Sequence, residues 1–194
     1  PEVLARLTDR VAALSEDPFE RYECSGDLQG SGLLQHEKTI FETTKTWLEE
    51  CKSHNVKYLE LRCSPANYTR GGLNPEEVVD TIRRACLEVP EVETGLLFIG
   101  SRHGRSEDLK THIKLARKLL DQEENGQRAG ALVGFDLAGA EEQQTPAELR
   151  EAFLPLLERC LSVTIHAGET EPARSVWEAV YHLQADRIGH GLTL

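Results

Sequence analysis

The sequence predicts an α/β fold in which parallel strands of one sheet are joined by helical crossovers. Two observations carry this. From about residue 56 onward, short β-rich apolar runs alternate with longer segments of helical period. Strands separated by helices rather than tight turns also call for parallel pairing, because a parallel neighbour is reached only by a crossover.

The strand candidates are Lys57 to Cys63 (KYLELRC), Thr94 to Ile99 (TGLLFI), Ala131 to Ala138 (ALVGFDLA), Leu161 to His166 (LSVTIH) and Ala185 to His190 (ADRIGH). Four helices lie between them. Pro75 to Val89 opens on Asn74 as N-cap with Pro75 at the first helical position. Ser106 to Leu120 places Leu109, Ile113, Ala116 and Leu120 on one face. A third runs from Thr145-Pro146 to about Arg159, and a fourth covers Pro172 to Leu183. The N-terminal third differs. Pro1 to Leu14 reads as an amphipathic helix, Glu20 to Gln35 as a polar, glycine-containing loop, and His36 to Asn55 as a helix before the first strand. Residues 1–55 are expected to form a helical segment of the same domain whose strands occupy 56–194.

Two architectures satisfy the pattern, a doubly wound open sheet and a TIM-type barrel. No Gly-x-Gly-x-x-Gly follows any strand, so the dinucleotide-binding version of the open sheet lacks its fingerprint. Both architectures gather functional residues where strands end and loops begin.

Composition sets outer bounds. A net charge of −11 argues against nucleic-acid backbone as a partner, since that work needs a basic face. No apolar run approaches the roughly 20 residues that span a bilayer, so no membrane partner is expected. Five cysteines, an odd number with no C-x-x-C pair and no signal peptide, point to reduced thiols and a cytoplasmic location.

The residues able to carry chemistry sit at strand ends. His166-Ala167-Gly168-Glu169 follows the strand LSVTI. Neutral histidine is a good zinc ligand, and a nearby carboxylate can shuttle protons. A strand-end histidine bonded to a neighbouring loop, beside an exposed glutamate, explains the same spacing. Arg187-Ile188-Gly189-His190-Gly191 presents a second histidine between glycines, able to act as acid, base, stabiliser, ligand or plain structural group. Asp136 ends a strand otherwise made of Ala, Leu, Val, Gly and Phe, where a carboxylate needs partners. It either serves a site or caps local backbone, and Gly139 beyond it would admit a ligand to the main chain. Glu60 and Arg62 alternate along one strand face and are expected to pair with each other as a buried ion pair holding strands together, the alternative being a catalytic role. Arg102, His103 and Arg105 form a basic rim suited to a carboxylate or phosphate, or to this acidic protein's own side chains.

Taken together, DLAG-x-E at 136–141, HAGE at 166–169 and RIGHG at 187–191 resemble the adenosine deaminase branch of the metal-dependent amidohydrolase superfamily. YLELRCSP at 58–65 resembles that family's second barrel strand. The resemblance implies a (β/α)8 TIM-type barrel, incomplete here, with about the second to sixth strands present. It implies Zn2+ as cofactor, His166 as a metal ligand, and Glu169 as the proton shuttle to purine ring N1 during attack at C6. It further implies His190 as the residue that positions the attacking oxygen, and the Gly139 N–H as a hydrogen-bond donor to purine N3. The expected reaction is hydrolytic deamination of an adenine nucleoside or nucleotide to the inosine form, with release of ammonia. This is not the base-editor class of zinc deaminase, whose H-x-E and P-C-x-x-C patterns are missing from the sequence.

The sequence also departs from the family. It contains no His-x-His, the pair that supplies two zinc ligands, and it stops after the sixth strand, before the family's metal-binding aspartate. One histidine does not hold catalytic zinc, which takes at least three protein ligands. These residues alone are therefore expected to be inactive, as part of an active parent enzyme, since a degenerate relative has no reason to keep both Glu169 and His190. Open sheet edges leave a fused regulatory domain or a homo-oligomer as ways of covering them. SPANYTRGGL at 64–73 and the rim SRHGR at 101–105 are similar to divergent members of the CRISPR-associated and phage-defence type, which act on nucleotides. Arg102 and Arg105 are then the expected phosphate partners. Two other readings remain open: a metal-dependent phosphoesterase, and a non-catalytic nucleotide-binding or assembly module.

Overall fold

The computed structural model describes residues 30–102, 106–123 and 130–194. The helix expected over 1–14 and most of the loop over 20–35 lie outside the described residues. Among the described residues five helices and five strands alternate: α1 (Glu37–Ser53), β1 (Tyr58–Cys63), α2 (Pro75–Leu87), β2 (Glu93–Ser101), α3 (Ser106–Glu123), β3 (Ala131–Ala138), α4 (Pro146–Leu157), β4 (Ser162–Ala167), α5 (Ala173–Leu183) and β5 (Arg187–His190). A short 3-10 turn, Pro65–Tyr68, follows β1 and was not read from the sequence. All strands are parallel in the order β1-β2-β3-β4-β5, as sequential βα units require.

The crossover helices start where local chemistry dictates. Asn74 Oδ1 accepts from the Glu77 N–H at 3.0 Å while the Glu77 carboxylate accepts from the Asn74 N–H at 2.8 Å. Thr145 and Glu148 form the same reciprocal box ahead of α4. In both helices proline follows the cap, where its missing N–H costs nothing.

Alternation divides the sheet into two unlike faces. Leu96, Phe98, Phe135, Leu137, Val163 and Ile165 face the helices and are buried in one core with Val79, Ile113, Phe153 and Ala179. Phe135 and Phe153 meet edge-to-face across that layer. The register puts the other set of residues on the opposite face: Glu60 and Arg62 of β1, Asp136 of β3, Thr164 and His166 of β4, and Arg187 of β5. Polar groups of β1, β3, β4 and β5 thus line the helix-free face, beside Leu97 and Ile99 of β2.

That face is concave. Glu60 on the first strand and Arg187 on the last are joined by a 2.8 Å ion pair, Oε2 to Nη1. Four inter-strand spacings in a flat sheet would separate them by about 19 Å, whereas two extended side chains of this size reach roughly 12 Å together. The sheet must curl for the pair to form. The result is five strands of a TIM-type (β/α) barrel, its interior carrying most of the polar strand residues and its exterior packed under helices. The four described cysteines, Cys51, Cys63, Cys86 and Cys160, are free. Among the described residues no helix is long and apolar enough to cross a membrane.

Candidate active site at the strand ends

His166 lies near the end of β4 on the concave face, beside Gly189 of β5. Its Nδ1 stands 2.9 Å from Asp136 Oδ1 on the adjoining strand. Asp136 is 0% exposed, and its other oxygen pairs with the Arg62 guanidinium reaching over from β1. A buried carboxylate between a cation and an imidazole holds the ring proton on Nδ1 and leaves the Nε2 lone pair free. Burial, helped by the charge of Arg62, pushes the His166 pKa below its ordinary value, which favours the neutral ring.

Two expectations are corrected by this arrangement. Asp136 does not cap local backbone; it joins β1 to β4. Glu60 and Arg62 share a face as read, but they do not pair with each other. Curvature brings opposite charges from other strands within reach, so Glu60 turns to Arg187 and Arg62 to Asp136.

Beyond β4 the chain turns at Gly168, where φ is +71° and a Cβ would lie 2.8 Å from Val176 Cγ2 and 2.9 Å from Thr193 Oγ1. The turn carries Glu169 back over the strand ends, where its Oε2 stands 3.3 Å from His190 Nε2. His190 adopts φ +72°, an uncommon conformation for a residue with a Cβ. Its ring lies 5.0 Å from that of His166, inclined by 61°. Histidines 166 and 190 and the Glu169 carboxyl are therefore brought together. Gly139 also stands at a strand end, directly after β3, with φ +97°.

Of the basic rim, the described member Arg102 turns to the protein's own groups, the second of the two readings. Arg102 is only 3% exposed, and its guanidinium donates to the His166 carbonyl through Nη2 and to the Gln144 carbonyl through Nη1 at 3.4 Å. Burial lowers its pKa, while Glu141 and Glu142 act in the opposite direction. Arg102 faces inward because the β4 carbonyl needs a donor where β4 ends, and so it is not presented to a ligand phosphate. His103, Gly104 and Arg105 lie outside the described residues.

One residue of the site carried no role in the sequence reading. Glu141, 3% exposed, accepts from the N–H groups of Gly168 (3.2 Å), Glu169 (2.9 Å) and Glu171 (3.3 Å), and from Ser175 Oγ (3.1 Å). It ends the DLAG-x-E motif, and a glutamate three residues beyond a strand end, next to Ala140, is the signal the sequence offers.

Chemically, the arrangement offers one neutral imidazole nitrogen suited to a metal and a carboxyl–imidazole pair suited to moving protons. Among the described residues no group of three or more His, Cys, Asp or Glu side chains stands close enough to hold a metal ion. His166, oriented by a carboxylate, fits one ligand position of such a site.

The family model for adenosine deaminase matches residues 7–194, a span that includes all three strand-end motifs. The chain belongs to the adenosine deaminase family. Curated relatives of this deaminase-family chain include an adenine deaminase of Paraburkholderia xenovorans, 28% identical over 99% of this chain and 57% of that protein. An adenosine deaminase of Clostridium botulinum is 32% identical over 82% of this chain and 47% of its own. The chain spans about half the length of the curated relatives it matches. Two solved structures share the fold: an Arabidopsis chain, ADAL, complexed with GMP (22% identity, TM-score 0.72, 95% of this chain and 54% of that one), and an amidohydrolase of Burkholderia ambifaria with bound Zn (21%, 0.64, 97% and 54%).

Proposed function

We propose that this chain contributes the proton-handling side of a zinc-dependent hydrolytic deaminase site acting on an adenine nucleoside or nucleotide. The observation that carries the reading is the joint placement of Glu169, His190 and the Asp136-oriented His166 at the ends of β4 and β5. His166 offers Nε2 to the metal, and zinc, when bound, supplies Lewis-acid activation of the attacking water. Asp136 and Arg62 fix the ring that makes this offer.

The remaining work falls to the chain's own groups. Water adds to C6 of the purine, the C6–N bond breaks, and the exocyclic nitrogen leaves as ammonia. Glu169 delivers a proton to ring N1 as C6 is attacked. His190, held against Glu169, takes a proton from the water, orients its oxygen and passes that proton to the departing amine, while the C6 hydroxyl returns its proton to Glu169 as the C6–N bond breaks. The Gly139 N–H donates to purine N3, from a turn whose φ of +97° favours glycine. Adenine, adenosine and adenine nucleotides all remain within reach of this chemistry, and the family members named above include both adenine and adenosine deaminases.

The test is ammonia release by the zinc-loaded, full-length gene product from adenine, adenosine, AMP and ATP, with Glu169→Gln as control. A steep fall in ammonia release in the variant, to a residual but measurable rate, supports the reading, and the preferred substrate assigns the class. Phosphate release without ammonia would assign a phosphoesterase instead. Binding without either product, unaffected by the substitution, would leave a non-catalytic module.

A further inference from the structure

We propose that Glu141 is a positioning residue of this site, and that it acts by fixing the backbone that carries Glu169. The inference rests on the deaminase reading for its catalytic consequence, though not for its structural one. Four donors converge on a single nearly buried carboxyl: three successive-turn N–H groups, at 168, 169 and 171, and the Ser175 hydroxyl. These lie at and just before the N-terminus of α5, where orphan N–H groups and the helix dipole favour negative charge. Without an acceptor, the turn would place unsatisfied N–H groups in a buried setting.

Glu141 has a counterpart of opposite sign. Arg102, equally buried, donates to the His166 carbonyl, so the segment 166–171 is gripped at one end through its carbonyl and at the other through its N–H groups. Both charges are nearly buried and engaged by the protein's own groups. The positive φ at Gly168 lets the chain pass between the two grips. The Glu169 side chain then projects toward His190 from a backbone that has lost most of its freedom. A proton donor held in place beforehand acts without a cost of reorganisation at the moment of reaction.

Glu141→Gln keeps the shape and replaces one acceptor oxygen by an NH2 that faces N–H groups. Two measurements on the full-length, zinc-loaded protein decide the matter. Hydrogen exchange followed by mass spectrometry is expected to speed up roughly tenfold or more across 168–171, with β3 and β4 unchanged. In ammonia assays kcat is expected to fall roughly 10- to 100-fold with little change in KM. In a Glu169→Gln background that further loss should vanish, because the residue it positions is gone.

Unchanged exchange overturns the anchoring role whatever the activity shows. Faster exchange with the same fold-loss in both backgrounds overturns the positioning role and leaves a structural one. If the wild-type protein releases no ammonia, the deaminase reading falls, while exchange still decides whether Glu141 anchors the turn. Should Glu141→Gln not fold, Glu141→Asp serves, since it keeps the charge but withdraws the oxygens by one methylene; the same pattern at smaller amplitude is then expected.

Discussion

Asp136 Oδ1 stands 2.9 Å from His166 Nδ1, with no exposure of the carboxylate to solvent. This contact selects which imidazole nitrogen faces the site. Asp136→Asn puts an amide between His166 and Arg62, and the amide cannot accept from both. Zinc affinity of the full-length protein is expected to fall roughly 10- to 100-fold, measured by competition with a chromogenic chelator. Equal affinity in the variant would mean that His166 does not bind metal through Nε2.

Gly189 makes a second, steric contribution to the same ring. A Cβ there would sit 3.2 Å from both Cγ and Nδ1 of His166, so the ring must yield by a few tenths of an ångström. Gly189→Ala is expected to weaken zinc binding by roughly tenfold, since sites of this kind tolerate little displacement of a ligand. Far-UV circular dichroism should stay unchanged. An unchanged zinc affinity would show that β5 has enough freedom to move away.

The rhythm of strands and helices was legible because burial on one sheet face leaves apolar runs such as LLFI and SVTI, and because Asn74-Pro75 and Thr145-Pro146 mark helix starts by cap chemistry. His166, Glu169 and His190 were legible because strand ends place them at one rim. Their partners were harder. Arg102 reads in sequence as a free rim cation, and only folding reveals that the His166 carbonyl is its acceptor. Glu60 and Arg62 read as each other's partners because sequence shows proximity along a strand, whereas the contacts that form depend on curvature bringing Arg187 and Asp136 across. Glu141 went without a role because its donors come from residues 27 to 34 positions later.

The Glu60–Arg187 pair closes the concave face, yet half of the Arg187 side chain is exposed. Solvent screening should hold its coupling energy to about 1 kcal/mol or less. A double-mutant cycle with Glu60→Gln and Arg187→Gln, followed by urea unfolding, is expected to return a value in that range. A coupling of about 3 kcal/mol would mean that the pair behaves as a desolvated one and that curvature depends on it.

His112 on α3 gives the fold an acid sensitivity distinct from the active site. It is 2% exposed, and its Nε2 accepts from the Ala66 N–H at 3.0 Å, which ties the turn after β1 to α3. Accepting there requires the neutral ring. Burial lowers its pKa from 6.5 to about 4, against a smaller opposing effect of Asp108. Above pH 6.5 the ring is neutral in folded and unfolded chains alike, and pH changes nothing through it. Between pH 6.5 and about 4 the unfolded chain takes up a proton that the folded one refuses, so stability falls as pH falls. The loss should total about 3 kcal/mol. His112→Gln keeps an acceptor for Ala66 and removes the titration. Urea unfolding at pH 7 and pH 4 should therefore show a smaller loss in the variant than in the wild type, by about that amount. Equal losses would mean that the folded protein admits the proton, with His112 turning away from Ala66 to accommodate it.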